Sequence, residues 1–102
     1  MSLVQKLDAW VRDNRERILA MIAALVRIRT ENLPPGGNEK PGQEYLASWA
    51  SSFLPPRDLD LFEVDDVPGI RQHPLFFSTI DGRQKIYRNR PNLVARLPGT
   101  GG

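Results

Sequence analysis

Apolar residues recur at Leu3, Leu7, Trp10 or Val11, Ile18, Ile22, Leu25 and Val26, the spacing that lines one face of an α-helix. Ser2 is placed to cap its start. No proline or glycine interrupts the stretch from Ser2 to Leu33, and its alanines and leucines favour continuation, so the pattern predicts one long helix over about residues 2–29. The wholly polar Arg12–Arg17 leaves an alternative. Asp13 with Glu16 has the form of a capping box, at which the helix would break and restart. Residues 30–38 read as a loop, because Pro34-Pro35 cannot continue a helix and Gly36-Gly37 follows. A second helix is expected over about 39–53. Asn38 would cap it and Pro41 would fall in its first turn, where the missing N–H costs little. Tyr45, Leu46, Trp49 and Phe53 form its apolar face, Ser48, Ser51 and Ser52 its polar one, and Pro55-Pro56 ends it.

The second half of the chain changes period. Leu59–Val64 alternates and predicts a strand over about 59–64, ended by Val67-Pro68-Gly69. Phe76–Ile80 and Arg83–Tyr87 flank Asp81-Gly82, which predicts a hairpin over 76–87 with a type I′ turn and positive φ at both central residues. Asn92–Leu97 reads as a further strand over about 92–97, and Pro98-Gly99-Thr100-Gly101-Gly102 as the turn after it. There is no internal repeat, heptad or low-complexity tract.

Composition adds little to this α/β picture. The 102 residues are 40% hydrophobic and 25% charged, ordinary for a folded soluble domain. Absence of cysteine excludes disulfides, thiolate zinc sites and a cysteine nucleophile, and fits a reducing compartment. Charges from Lys6 to Arg17 precede any apolar run, unlike a secretory signal. The run Ile18–Ile28 is about half the ~20 residues a membrane span needs and contains Arg27. A soluble, cytoplasmic chain without membrane contact is expected.

The net charge of +2 is unevenly spread. Asp58, Asp60, Glu63, Asp65 and Asp66 form an acidic stretch, and Arg71, Arg83, Lys85, Arg88, Arg90 and Arg96 a basic one opposed by Asp81. The basic stretch suits either a solvated or partner-facing surface or a phosphate or nucleic-acid surface with Tyr87 placed to stack. No nucleic-acid motif is matched and the arginines flank a hairpin, so a nucleic-acid partner is not expected.

Residues capable of chemistry are sparse. Asp65-Asp66 and Asp58/Asp60 are the paired carboxylates, but zinc needs ligands converging from the fold, usually with histidine. The sole histidine, His73, precedes Pro74 and reads as a solvated or hydrogen-bonded loop residue. Ser78 lies near it in sequence without a nucleophile elbow. Gly36-Gly37 and Gly99–Gly102 lack the lysine and spacing of a phosphate loop. The residues therefore assign no catalytic, cofactor-binding or metal position.

The ending Asn92-Leu93-Val94-Ala95-Arg96-Leu97-Pro98-Gly99-Thr100-Gly101-Gly102 resembles the start of the catalytic domain in zinc-dependent amidohydrolases and peptidases. These are the acetylornithine deacetylase, succinyl-diaminopimelate desuccinylase, aminoacylase and carboxypeptidase G family. In that family such a stretch comes just before a strand ending in a Gly-His-x-Asp metal motif. The resemblance extends in order over nearly the whole chain: first helix, Pro-Pro-Gly loop after Leu25-Val26-Arg27-Ile28, aromatic-faced second helix, the Leu61-Phe62-Glu63-Val64 strand, then the ending. The stretch from Asp66-Val67-Pro68-Gly69 to Arg90-Pro91-Asn92 looks like the deacetylase and desuccinylase branch. Leu54-Pro55-Pro56 departs from the pattern, which commonly has glycine at this exit.

The resemblance implies a fragment of a larger α/β domain whose mixed sheet is covered by helices on both faces. It also implies two zinc ions and a glutamate general base in the whole enzyme, which cleaves the amide of an N-acyl amino acid or short peptide. None of those ligands maps onto this sequence, which stops short of the metal motif. The chain alone is expected to be inactive and to hold no zinc. Its expected partners are the rest of the catalytic domain or another copy of itself. The competing reading is a non-catalytic module that binds a partner protein through its apolar helix faces.

Overall fold

The computed structural model describes residues 1–101. Gly102, the end of the expected final turn, lies outside the described residues.

The expected long helix is two helices, α1 (Leu3–Asp13) and α2 (Arg15–Arg27). The break is a kink at Asn14, whose ψ of 11° leaves the helical well. The ladder runs through it: the Asn14 N–H donates to Trp10 O at 2.9 Å and the Ile18 N–H to Asn14 O at 3.0 Å. Asn14 Nδ2 also donates to Trp10 O at 2.9 Å, the local competition by which asparagine disfavours helix interiors. The capping box formed is not Asp13/Glu16. It joins Ser2 and Gln5 at the start of α1, where Ser2 Oγ accepts the Gln5 N–H and Gln5 Oε1 accepts the Ser2 N–H.

Residues 30–38 are not an unpaired loop. Strands β1 (Asn32–Leu33) and β2 (Gly36–Gly37) pair antiparallel, with Pro34 and Pro35 at the two turn positions and a cis peptide between them. Helix α3 (Lys40–Ala50) follows, with Glu39 rather than Asn38 at its N-cap. Ser51 and Ser52 turn their hydroxyls onto the Ser48 and Trp49 carbonyls, and residues 51–53 leave the helix as turns.

Strand β3 (Leu59–Phe62) pairs antiparallel with β6 (Asn92–Ala95), with Leu59 opposite Ala95 and Phe62 opposite Asn92. Both are shorter than expected. Beyond Phe62 the partner position is Pro91, which has no N–H to give, and the chain turns into a 3-10 segment at Val64–Asp66. At the other end the ladder survives as one bond, Arg96 N–H to Asp58 O at 2.8 Å. Between these strands lies the hairpin of β4 (Thr79–Ile80) and β5 (Arg83–Gln84). Asp81 and Gly82 have φ of 52° and 71°, the positive values a type I′ turn requires. The Lys85 N–H adds one bond to Ser78 O, but the Ile86 N–H turns away to Pro35 O at 2.7 Å, which ends the hairpin early.

The described strands form three separate two-stranded antiparallel ladders, not the mixed sheet expected. Parallel pairing needs a crossover, usually helical. The 63–91 connection between β3 and β6 is instead built of turns and a hairpin, and brings the chain back antiparallel. The α/β class holds in its coarse form.

Helix α3 packs on both β3 and β6. Only Gly42, Ala50, Asp58 and Pro91 are buried among the described residues. The α1–α2 arm contacts the rest weakly, and the radius of gyration is 17.9 Å, against ~13 Å for a compact 100-residue domain. Most of the helical stripe read from the sequence therefore faces solvent, with Ile18 and Leu25 half-buried. Leu3, Leu7, Trp10, Val11, Ile22 and Val26 are all exposed, as are Trp49 and Phe53 of the second stripe.

Candidate functional site

The polar centre with the most side-chain hydrogen bonds among the described residues is built on Arg90. Its Nη2 and Nε donate to the two oxygens of Glu39 at 2.7 and 3.0 Å, a two-pronged ion pair. The same guanidinium donates to Asn32 Oδ1 and to the Ile86 carbonyl, and the Arg90 backbone N–H to Glu63 Oε2. One side chain thus ties the β1–β2 hairpin, the start of α3, the end of β3 and the entry to β6. Hydrogen bonds from Arg90 hold the Glu39 carboxyl below its usual pKa, against an opposing effect of burial; the same pair raises Arg90. Gly37 makes the room, since a Cβ there would lie 2.5–2.6 Å from the Glu39 oxygens. Beside this pair is a recess of about 230 Å³ lined by Gln43, Val64, Lys85, Tyr87 and Asn92 among others.

Lys85 and Tyr87 also form the wall of a second cleft, of about 370 Å³, between the 64–72 turns and the β4–β5 hairpin. Phe76 and Tyr87 stack there with ring centroids 5.0 Å apart. Arg71 lies over Phe76 at 5.6 Å and Lys85 over Tyr87 at 5.0 Å. The Tyr87 hydroxyl donates to Phe77 O at 2.6 Å, and Arg71 pairs with Asp65 at 3.2 Å. Ser78, Gln84 and Arg88 complete the polar lining.

No family model, curated protein or solved structure matches the chain.

The residues singled out from the sequence are dispersed. Asp58 is buried, with Arg96 at 3.4 Å and Arg57 at 3.9 Å from its carboxylate oxygens, and anchors the β3–β6 ladder. Asp60 and Asp66 are exposed, and Asp65 is engaged by Arg71. His73 closes the 3-10 turn Ile70–Gln72, and its Nδ1 accepts the Leu75 N–H at 3.1 Å. Ser78 lies in the larger cleft, apart from any histidine hydrogen bond. Among the described residues, no three His, Asp or Glu side chains lie together as a metal would need. The Arg90–Glu39 pair is not legible in the sequence. Arg90 is one cation in a run of six, and nothing local marks a partner 51 residues earlier.

Proposed function

We propose that this chain is the N-terminal part of the catalytic domain of a di-zinc amidohydrolase, of the acetylornithine deacetylase, succinyl-diaminopimelate desuccinylase, aminoacylase and carboxypeptidase G kind. The whole enzyme would cleave the amide of an N-acyl amino acid or a short peptide in the cytoplasm. The part contributed here is structural. Among the described residues no three His, Asp or Glu side chains come together to form a ligand group. The reading therefore gives the metals, and every chemical step, to the remainder of the domain.

The observation that carries the reading is the state of the β3–β6 ladder. Its register puts Leu59, Leu61, Leu93 and Ala95 on one face and Phe62 and Val94, with the polar Asp60 and Asn92, on the other. Leu61 and Val94, on opposite faces, remain 42% and 54% exposed. A ladder with one apolar face, and with further apolar side chains exposed on the other, calls for more helical cover than it has, and among the described residues α3 is the helix that packs closely on it. Together with the ordered motifs from the Pro34-Pro35-Gly36 turn to Asn92–Gly101, this favours a partial layer of a larger domain over a free-standing module. No helix among the described residues is long and apolar enough to cross a membrane.

The test is the reading frame that encodes the chain. It is expected to continue through Gly102 into a strand and Gly-His-x-Asp. The longer product should take up two zinc ions and release an amino acid from an N-acyl amino acid or a peptide, with chelator abolishing turnover. A frame that closes without that motif, on a chain that is a stable monomer, would replace this reading by the interaction-module one.

A further inference from the structure

The cleft beside the β4–β5 hairpin carries an excess of positive charge that the fold does not consume. Three cations, Arg71, Lys85 and Arg88, line it against one carboxylate, Asp65. Asp65 is matched to Arg71 at 3.2 Å. Among the described residues, neither Lys85 nor Arg88 has a carboxylate within ion-pair distance, and neither side chain donates a hydrogen bond. The Ser78 hydroxyl and Gln84 amide stand on the same lining.

The walls that carry these donors are fixed by backbone and ring contacts. Lys85 N–H bonds Ser78 O at 2.9 Å, Ile86 N–H bonds Pro35 O at 2.7 Å, and Tyr87 is held by its hydroxyl and by Phe76. A backbone fixed before a ligand arrives leaves only the side chains to be ordered on binding it. The volume of about 370 Å³ lies in the range of small-molecule sites.

We propose that this cleft binds the dianionic head of a phosphate monoester. Two cations without a carboxylate partner among the described residues match a monoester, which carries about −1.5 to −2 charge at pH 7 and three acceptor oxygens, better than a singly charged carboxylate or phosphodiester. The ligand does not stack on Tyr87. One neighbour of that ring is Phe76 and another is the Lys85 ammonium, while Phe76 carries Arg71. Recognition is therefore of the charged head, with Phe76 and Ile86 as apolar flank, and not of a nucleobase. The site is independent of the amidohydrolase reading.

The experiment titrates the full 102-residue chain with inorganic phosphate, phenyl phosphate and diethyl phosphate at constant ionic strength. Amide shifts are followed by NMR, and line broadening of the phosphorus signal is a second readout that needs no assigned protein spectrum. Saturable shifts confined to Ser78, Gln84, Lys85 and Arg88 are expected with phosphate and phenyl phosphate. Diethyl phosphate should bind at least about fivefold more weakly, as should either dianion to Lys85→Gln or Arg88→Gln, the scale of one partly exposed charge contact of ~1 kcal/mol. Arg12→Gln, on α1, should leave binding unchanged. Shifts spread over all basic residues, an equal response to the diester, or undiminished binding by the Lys85 and Arg88 variants would overturn the proposal.

Discussion

Arg90 and Glu39 form a two-pronged ion pair across 51 residues of chain, at 2.7 and 3.0 Å. The pair closes the α3–β3–β6 layer, because Arg90 stands two residues before β6 and Glu39 caps α3. Replacing Glu39 by Gln removes the charge and leaves Arg90 half-buried without its counter-ion, at a cost of about 1–3 kcal/mol. Arg90→Lys loses the fork and the branch to Asn32. Both variants should speed amide exchange at Ile86 and Arg90, whose N–H groups bond to Pro35 O and Glu63 Oε2. Unchanged protection at both amides would remove the pair from this role.

The same pair sets an acid dependence. Arg90 lowers the folded pKa of Glu39 from its ordinary 4.5, chiefly by hydrogen bonding. A depressed carboxyl contributes stability that is complete above the unfolded pKa and lost as pH falls through the folded one. Protection of the Ile86 and Arg90 amides should therefore hold from neutrality to about pH 5 and fall below the ordinary carboxyl range. In Glu39→Gln the acid step should shrink. An equal step in both chains would assign it to other carboxylates.

Gly42 is buried in α3 against Thr30, whose Cγ2 would lie 2.6 Å from a Cβ added at residue 42. Two effects oppose each other in Gly42→Ala: about 1 kcal/mol of helix propensity gained, and a clash with a short, branched side chain. Gly42→Leu should destabilise α3 by about 1–3 kcal/mol through overpacking. Combining Gly42→Ala with Thr30→Ser removes the clashing methyl and should leave the helix more stable than Gly42→Ala alone. The circular dichroism melting profile gives the order of the variants. A double variant no better than the single would show that Thr30 is not the obstacle.

Gly82 has nothing within 4 Å of an added Cβ, but its φ is +71°. Gly82→Val should therefore weaken the hairpin by roughly 1–3 kcal/mol through backbone strain alone. Gly82→Asn, which tolerates the left-handed region, should largely keep it. Cross-strand nuclear Overhauser contacts between Thr79 and Gln84 report the outcome. Their persistence in the valine variant would contradict a strained type I′ turn.

The elements that rest on local chemistry were legible in the sequence. Asp81-Gly82 specifies its own turn and Ser2 its own cap, whereas α3 ends at Ala50, short of Pro55-Pro56. Misreadings arose where a distant group decides. β3 stops at Phe62 because Pro91 stands opposite the next residue, and the hairpin stops at Gln84 because Ile86 bonds to Pro35. The kink at Asn14 depends on a side-chain bond to Trp10 that apolar spacing does not encode. Of the candidate site, the basic stretch was visible. Its division into Arg90, committed to Glu39, and Lys85 and Arg88, free of carboxylates among the described residues, needed the third dimension.

The described residues do not cover their own apolar faces. Leu3, Leu7, Trp10 and Val11 on α1, and Leu61 and Val94 on the ladder, stand at 42–72% exposure, more than isolated surface residues of a monomer account for. Burial of such surface releases roughly 25 cal/mol per Å², which drives the chain towards itself when nothing else covers it. Sedimentation velocity over a concentration series measures this directly. A weight-average mass that rises with concentration above the 11.5 kDa of one chain is the predicted result. A constant monomer mass up to hundreds of micromolar, with a single cooperative unfolding transition, would contradict it.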